Sequence, residues 1–502
     1  MKSIFKAVAI VTIFSVITRA LGFLFRIFLS RKLGAEGLGL FQLASSILGI
    51  FLTLISSGLP LTTAKFVSKY EANNQYNKRN KVVTTALVVA IVLSLICCAV
   101  ILLFKGVWKI VLTDNRVIEI LFILIPSIIY SAIYSIFRGG LWGQNDYFNC
   151  GLTELIEQIV RFIATFIMLY SVNDIFKATK LSAHAFNITC LISAVVVMVI
   201  YLKKSKLDFR LGEYKHLIKS ALPVTGVKVA SSLVQPITSL IIPAMLVVSG
   251  QTSTEAISSF GVVMGMTFPM LFVPMTVIGS ISMVLIPSIS SMLAKNEISN
   301  IKNNITKSLE VAIFLSMLFV PLYLSVGNLI GMVLFNNSMA GTMLQLAAVC
   351  IVPISLCNLT SSILDALNLE VKAFKNYLLG SVILIVGLTS LTPIIGVNSI
   401  IISYFLSMLT ISLLNLKTIK KSNIHLNFNL AKISFKYVLV TIPCSLLGGF
   451  ISKIMLHIFN NFFAGLIGGG IAMISSIILI QMFNLFNVLE LKTIINHKHK
   501  KA

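Results

Sequence analysis

Long apolar segments alternate with short polar connections along almost the whole chain. A helix that crosses a bilayer needs about 20 apolar residues, and fourteen segments have a suitable length. The pattern therefore predicts an all-α, polytopic membrane protein with 14 transmembrane helices. The predicted spans are 5–30, 38–60, 82–104, 117–137, 152–172, 184–202, 220–248, 258–288, 309–335, 342–366, 376–394, 399–416, 437–459 and 464–487.

A basic linker at 203–219 follows the sixth span and divides the first twelve spans into six plus six. From this division we expect three regions. The first is an N-lobe at 1–216 with helices 1–6, and the second is a C-lobe at 217–420 with helices 7–12. The third, 421–502, contains helices 13–14 and a basic cytoplasmic tail.

The composition agrees with a membrane protein. Of 502 residues, 57% are hydrophobic and 11% are charged, whereas soluble domains contain about 25% charged residues. The net charge is +24, and the basic residues that cause it lie mostly between apolar segments. The positive-inside rule explains this distribution better than nucleic-acid binding does. With the amino terminus placed inside, 28 of the 40 Lys and Arg residues lie on inner segments and 7 in outer loops. We predict a multi-pass protein of the cytoplasmic membrane with both termini in the cytoplasm.

The first span carries two arginines, Arg19 and Arg26, and each charge near the centre of a membrane helix costs roughly 2.5–3.5 kcal/mol on insertion scales. Residues seven apart share one face of a helix, so both guanidinium groups lie on a stripe with Ser15 and Gly22. This stripe predicts the positively charged side of a cavity that binds an anionic substrate. The alternative is that Arg26 extends to the outer interface and that Arg19 pairs with a structural carboxylate.

Two lysines are further candidates for the same site. Lys65 follows Pro60 at the inner end of span two, and Lys228 lies five residues after Pro223 in span seven. Each lysine either contacts the anionic substrate or is an ordinary charge at the inner interface.

We expect structural or gating roles for the remaining charged residues within or beside the spans. Glu157 precedes Arg161 by four residues, which is the favourable order for an ion pair on a helix. Arg138 lies at the inner end of span four. Asp365 is the one acid near the end of span ten, and a coupling-ion site is the alternative to its structural role.

Half of the twelve prolines fall within spans seven and eight, among them Pro269 and Pro274. Proline removes an internal hydrogen bond and kinks a helix. Such breaks are tolerated where the backbone borders a cavity or a neighbouring helix. The pattern predicts either a bending pair of helices that opens and closes a site, or static kinks in a tightly packed lobe.

Several signatures of enzymes and of cofactor binding are missing from the sequence. It contains no nucleotide-binding GxxxxGK[ST] motif, no Asp-x-Asp pair and no clustered His/Glu set, so it shows no pattern for ATP or metal binding. The seven cysteines have no metal-ligand spacing. We therefore expect neither an enzyme nor a bound cofactor or metal.

A series of short motifs occurs in order over residues 1–290. The motifs are Thr18-Arg19-Ala20-Leu21-Gly22-Phe23, Arg26, 33–39, Gly58-Leu59-Pro60, Lys65, Arg138-Gly139, Gly143-Gln144, 157–161, 222–225, Lys228 and 265–288. Together they resemble the stage V sporulation protein B family of the multidrug/oligosaccharidyl-lipid/polysaccharide exporter superfamily.

The resemblance implies two six-helix lobes around a central cleft plus two extra helices. It also implies flipping of lipid-linked sugar precursors across the cytoplasmic membrane, in this family for spore cortex peptidoglycan. Our leading hypothesis is a flippase for an undecaprenyl-pyrophosphate-linked glycan, expected to be a peptidoglycan precursor. Arg19, Arg26, Lys65 and Lys228 would contact the substrate, the lipid tail would stay among membrane lipids, and a coupling cation or the membrane potential would supply the motive force.

Three other functions remain open from the sequence. A cation-coupled multidrug exporter of the same fold would need buried carboxylates, for which Asp365 and the acids of span five are the candidates. An enzyme acting on polyprenyl glycans is disfavoured because no catalytic set is found. A non-transporting scaffold of a wall-synthesis complex would not need Arg19 and Arg26.

Overall fold

A computed structural model describes residues 2–210, 214–295, 297–422, 430–483 and 485. The predicted basic tail, which follows span fourteen after residue 487, lies outside these residues. Within the described ranges the regular structure is entirely helical, so the predicted all-α class is confirmed. The chain packs into two units, Met1–Gly261 and Val262–Ala502. The three regions expected from the linker at 203–219 stay a prediction.

Unit 1 is built around the long first helix, which packs against the fifth to eleventh helices. The helices are α1 (Lys2–Ser56), α2 (Gly58–Ala72), α3 (Tyr76–Leu103), α4 (Lys105–Val111), α5 (Arg116–Leu124), α6 (Pro126–Gly143), α7 (Tyr147–Leu169), α8 (Ile175–Leu202), α9 (Tyr214–Ser232), α10 (Val234–Val248) and α11 (Ser253–Phe260).

Unit 2 follows a π-helical segment, Gly261–Thr267, in which the chain passes from one unit to the next. Its helices are α12 (Phe268–Leu271), α13 (Val273–Ala294), α14 (Ile298–Phe335), α15 (Ser338–Ala347), α16 (Ile351–Ala366), α17 (Glu370–Ile395), α18 (Asn398–Lys421), α19 (Leu430–Met455) and α20 (Asn461–Met482). The helix α14 packs against α13, α15, α16, α19 and α20 and forms the centre of this unit.

The first helix changes direction at a single residue. Gly34 has φ 64° and ψ −172°, a backbone region that is essentially restricted to glycine. The sequence predicted a connection over 31–37 between two spans. The structure instead keeps helical residues up to Gly34 and resumes the helix directly after it, because one glycine provides the whole bend.

Close helix packing in unit 1 depends on small residues. A Cβ atom at Gly139 would lie 2.6 Å from the carbonyl oxygen of Pro60, and one at Gly143 would lie 2.6 Å from that of Ala64. These glycines let α6 approach the backbone of α2. Small residues serve this purpose in membrane helices because van der Waals contact replaces the hydrophobic driving force.

Small residues also allow close helix packing in unit 2. A Cβ atom at Gly331 of α14 would lie 2.2 Å from the backbone nitrogen of Gly341 in α15. Buried polar side chains add interhelical hydrogen bonds, such as the one of 2.6 Å from the Ser316 hydroxyl to that of Ser355. Asn415 donates to the hydroxyls of Thr360 and Ser361 at 3.1 Å. Its buried amide is thereby satisfied.

Eleven stretches of the described chain are long and apolar enough to cross a membrane, and the first of them, Ile10–Ala72, covers predicted spans one and two. Predicted span five corresponds to α7, which carries Glu154, Glu157 and Arg161 and is not among the eleven. Predicted span eight corresponds to the interrupted run α11–α13. The multi-pass membrane class is confirmed, and the total of fourteen stays a prediction.

Candidate functional site

The bend at Gly34 determines what Arg26 contacts. Arg26 lies eight residues before Gly34 and Gln42 lies eight residues after it, each about 12 Å along its helix from the bend. The half-buried guanidinium of Arg26 donates from Nη2 to Oε1 of Gln42 at 3.1 Å. The partner is a neutral amide, so the positive charge of Arg26 is not cancelled.

Arg19 is exposed, and in the described ranges it has no hydrogen-bond or ion-pair partner. Its neighbour Thr18 is buried and donates to the carbonyl of Phe14 at 2.9 Å. The face that includes Gly22 is turned toward α7, since a Cβ atom at Gly22 would lie 3.8 Å from Oε1 of Gln158. The stripe predicted from Arg19 and Arg26 is thus partly covered by polar groups of α7, while the guanidinium of Arg19 stays accessible.

Aromatic contacts hold this part of α1 against α7. The ring of Phe14 lies 5.6 Å from that of Phe148, and the ring of Phe28 lies 5.5 Å from that of Phe162. Ring pairs in this range add roughly 0.5–1.5 kcal/mol beyond their buried area. They fix the position of the helix that carries both arginines.

Lys65 and Lys228 both flank the contact between α2 and α9. A Cβ atom at Gly58 would lie 2.0 Å from Oγ1 of Thr225 and 2.5 Å from the carbonyl oxygen of Ala221. Lys65 lies seven residues after Gly58 on α2, and Lys228 lies three residues after Thr225 on α9. Residues at these spacings share one side of a helix, so each lysine lies on the side of its helix that makes the contact. Both lysines are exposed, and neither has a partner in the part of the chain that is described.

The arginines of α6 and α7 differ from Arg19 and Arg26, because each has a carboxylate partner. Nη2 of Arg138 lies 2.6 Å from Oε2 of Glu154, and Arg161 forms the expected ion pair with Glu157. The guanidinium of Arg138 also lies 6.0 Å from the ring centre of Tyr134. Both pairs are half-buried, and their charges cancel locally.

In unit 2, the structure places Asp365 in an exposed position near the end of α16, with no ion pair among the residues described. Pro269 and Pro274 lie in the first turns of α12 and α13, directly after the π-helical segment. The residue before each of these segments also has right-handed helical backbone angles, so the missing N–H of each proline interrupts the hydrogen-bond ladder of a helical run. The hydroxyl of Tyr323 donates to the carbonyl of Met270 at 2.8 Å, which satisfies a backbone group of the interrupted helix.

Sequence reasoning did not identify Gln42 or Glu154 as partners of arginines. Each lies sixteen residues from the arginine it contacts, a separation that no helical spacing rule covers. For Gln42 the sequence did contain a signal, because Gln42 follows Gly34 by eight residues and Arg26 precedes it by eight. No group of three or more His, Cys, Asp or Glu in the described ranges could hold a metal ion.

These features define a multi-pass, all-helical membrane protein with basic side chains on its membrane-crossing helices. Among the described residues, no acid neutralises Arg19, Arg26 or Lys228. Residues 4–293 match the family model described as polysaccharide biosynthesis protein. The chain belongs to that family.

The resemblance proposed from the ordered motifs is confirmed by a curated relative. Stage V sporulation protein B of Bacillus subtilis (strain 168) is 24% identical over 431 residues, which cover 83% of this chain and 83% of the relative.

Two solved structures share the fold. A structure of the lipid II flippase MurJ in an inward closed conformation has a TM-score of 0.72 at 16% identity and covers 94% of this chain and 98% of that chain. An inward-facing multidrug resistance MATE family transporter of the MOP superfamily has a TM-score of 0.65 at 12% identity, with 81% and 94% covered. At these identities the likeness establishes the fold alone.

Proposed function

We propose that this protein is a flippase that moves an undecaprenyl-pyrophosphate-linked glycan, a peptidoglycan precursor, across the cytoplasmic membrane by alternating access. The observation that carries the proposal is the difference between two groups of cations in unit 1. Arg138 and Arg161 are paired with carboxylates, whereas Arg19, Arg26 and Lys228 have no acidic partner in the described part of the chain. Unneutralised cations within a membrane protein attract a phosphate-bearing headgroup.

The charges are large enough to matter energetically. A pair of unit charges about 4 Å apart is worth about 1 kcal/mol in water and about 4 kcal/mol at the effective dielectric constant near a protein surface. Arg19, Arg26, Lys65 and Lys228 together would therefore draw a pyrophosphate away from the aqueous surface. The lipid tail would remain in the bilayer, and a coupling cation or the membrane potential, worth about 2.3 kcal/mol per charge per 100 mV, would drive the cycle.

Family membership and the shared fold support this assignment. The chain belongs to the polysaccharide biosynthesis protein family over 4–293, and the solved structure with a TM-score of 0.72 is that of a lipid II flippase. We extend the flippase activity, the use in spore cortex synthesis and the non-enzymatic mechanism to this chain as parts of the proposal.

The alternative of a cation-coupled drug exporter has less support from the side chains. It would need an available carboxylate inside the membrane-crossing region. Glu154 and Glu157 are each engaged by an arginine, and Asp365 is exposed near the end of its helix.

The test is translocation of lipid II in vesicles that contain the purified full-length protein. Replacing Arg19 by alanine should lower the translocation rate about tenfold or more, because a charge-assisted contact is worth about 1.5–3 kcal/mol. Arg19→Lys should retain part of the activity. Lys69→Ala is the matched control, since Lys69 is an exposed lysine one turn from Lys65 on α2.

Folding is checked separately by size-exclusion profile and thermal stability in detergent. If the folded Arg19→Ala protein translocates lipid II at the native rate, the cationic site is not used. If the native protein moves no lipid II although it is folded, the proposed substrate is wrong, and a scaffold role becomes the better explanation.

A further inference from the structure

A pocket of about 770 Å³ opens on unit 1 between α5 and the beginning of α8. Its walls carry two carboxylates, two ammonium groups, two phenyl rings and one imidazole, together with aliphatic side chains. The residues that matter for its chemistry are Glu119, Asp174, Lys177, Lys180, Phe122 and Phe176. The pocket does not include the arginines and lysines of the proposed flippase site, so the two features are separate.

Charges of both signs remain available inside this pocket. Nζ of Lys180 lies 3.4 Å from Oε2 of Glu119, which is long for a charge-assisted hydrogen bond, and the Glu119 side chain is 58% exposed. The ammonium of Lys180 also lies 4.5 Å from the ring centre of Phe176. One oxygen of Asp174 accepts the backbone N–H of Lys177 and caps α8. The ammonium of Lys177 has no partner in the described ranges.

The pocket continues into an apolar stripe along α8. Lys177, Lys180 and His184 are followed on the same helix face by exposed aliphatic side chains, at the spacing of three and four residues that keeps a face aligned. The aliphatic members are Ile188, Leu191, Ile192, Val195 and Val199, each 39–45% exposed. The opposite face of α8 is buried and consists mostly of small residues. The exposed face is therefore polar at one end and apolar along the rest.

The neighbouring helix α4 has the side chains of a segment at a membrane surface. Leu103, the last residue of α3, and Ile110 of α4 are more than 80% exposed, and Lys105 and Lys109 lie between them in the chain. The indole of Trp108 donates from Nε1 to the carbonyl of Ile101 at 3.0 Å. Exposed apolar residues mixed with lysine and tryptophan are typical of the headgroup region of a bilayer. Nζ of Lys105 lies 5.6 Å from the ring centre of Phe122, so α4 borders the pocket.

We propose that the pocket binds a zwitterionic glycerophospholipid with a primary amine, of the phosphatidylethanolamine type. Lys177 and Lys180 would contact the phosphodiester, and Glu119 and Asp174 the ammonium group. One acyl chain would lie along the stripe on α8. A purely anionic headgroup supplies no cation of its own to Glu119 and Asp174, and a choline headgroup offers no N–H donor to them.

The experiment measures lipid retention by native mass spectrometry on the full-length protein purified in detergent. The protein is titrated with phosphatidylethanolamine, phosphatidylglycerol and phosphatidylcholine of the same chain length. We expect phosphatidylethanolamine to bind with the highest affinity. Equal or tighter binding of phosphatidylglycerol by the native protein would overturn the proposal without requiring any variant.

Two variants separate the contributions of the charges. Lys180→Gln should weaken phosphatidylethanolamine binding about tenfold, which is the expected effect of losing one charge-assisted contact. Glu119→Gln should weaken phosphatidylethanolamine binding but not phosphatidylglycerol binding. Lys109→Gln, an exposed lysine of α4 outside the pocket, is the matched control and should leave binding unchanged.

A competition with free phosphoethanolamine separates the headgroup from the whole lipid. Because the stripe on α8 contributes to binding, the free headgroup should compete poorly. Competition as effective as that of the lipid, or unchanged lipid binding by folded Lys180→Gln, contradicts the proposal. The translocation of lipid II is a separate readout, so either result leaves the flippase proposal to its own test.

Discussion

At the scale of single residues, the important property of each buried or half-buried cation is its partner. A carboxylate cancels the charge of Arg138 and of Arg161, whereas the amide of Gln42 only orients Arg26. The pair of Glu157 and Arg161 could be predicted because both residues lie on one helix. The contact between Arg138 and Glu154 could not be predicted in this way, because it requires α6 and α7 to pack together.

We predict that Gln42→Ala lowers lipid II translocation less than Arg26→Ala does. Loss of the hydrogen bond frees the guanidinium to adopt other rotamers and costs about 1 kcal/mol, but the positive charge remains. The measurement is the initial translocation rate of both variants in the same vesicles. A Gln42→Ala rate as low as that of Arg26→Ala would mean that Gln42 contacts the substrate itself.

Gly34 provides a test of backbone strain at one residue. We predict that Gly34→Ala destabilises the protein by about 1–3 kcal/mol, because a Cβ atom is strained at φ 64° and ψ −172°. No atom lies within 4 Å of the added Cβ, so crowding does not contribute. The measurement is the thermal unfolding temperature in detergent.

Gly49→Ala is the control for this prediction. Gly49 lies in a regular part of α1 and also has nothing within 4 Å of an added Cβ. Alanine there should be neutral or stabilise the helix by up to about 1 kcal/mol. Equal effects of the two substitutions would show that the bend does not depend on glycine.

At the scale of helices, glycine contacts position the elements that carry the candidate site. The helices α2 and α9 approach each other closely where Gly58 meets Thr225 and Ala221. In unit 2, the helical run predicted as span eight is interrupted, and Pro269 and Pro274 each lie in the first turn of a new segment. Because the backbone before each segment is also helical, each of these prolines removes one hydrogen bond from the run. Their role in gating stays a proposal.

We predict that Gly58→Ala separates α2 from α9 and lowers both stability and transport. The new methyl group would lie 2.0 Å from Oγ1 of Thr225 and 2.5 Å from a carbonyl oxygen, and overpacking of this kind typically costs about 1–3 kcal/mol. Unfolding temperature and lipid II translocation are measured together. Gly226→Ala, with nothing within 4 Å of the added Cβ, should change neither quantity, and a loss there as large as at Gly58 would refute the steric explanation.

At the scale of the whole molecule, charge asymmetry predicts how the protein is inserted. From the excess of Lys and Arg on alternate connections, we predict that the connection around Asn73 lies inside and the connection around Asn173 outside. Both asparagines are exposed and lie between helices. The orientation follows from the distribution of charge and does not depend on how the helices pack.

We predict that a cysteine at position 173 reacts with a membrane-impermeant thiol reagent in intact cells, and that a cysteine at position 73 reacts only after permeabilisation. Six of the seven native cysteines are buried and Cys357 is half-buried, so the unmodified protein serves as the background control. The reverse labelling pattern would invert the predicted orientation of both termini.

The sequence by itself determined the all-helical membrane class, the family resemblance and the group of basic candidates. These properties depend on local hydrophobicity, on charge and on short motifs, all of which can be read along the chain. The ion pair between Glu157 and Arg161 belongs to the same group, because helical periodicity alone brings those residues together.

Only the tertiary structure decided which cations are neutralised and which remain available. The partners Gln42 and Glu154 come from distant positions, and the pocket between α5 and α8 requires two helices to lie side by side. The physical reason is that Coulomb attraction and hydrogen bonding act over a few ångströms. The number of residues between two side chains does not give the distance between them in space, which is set only when the helices pack.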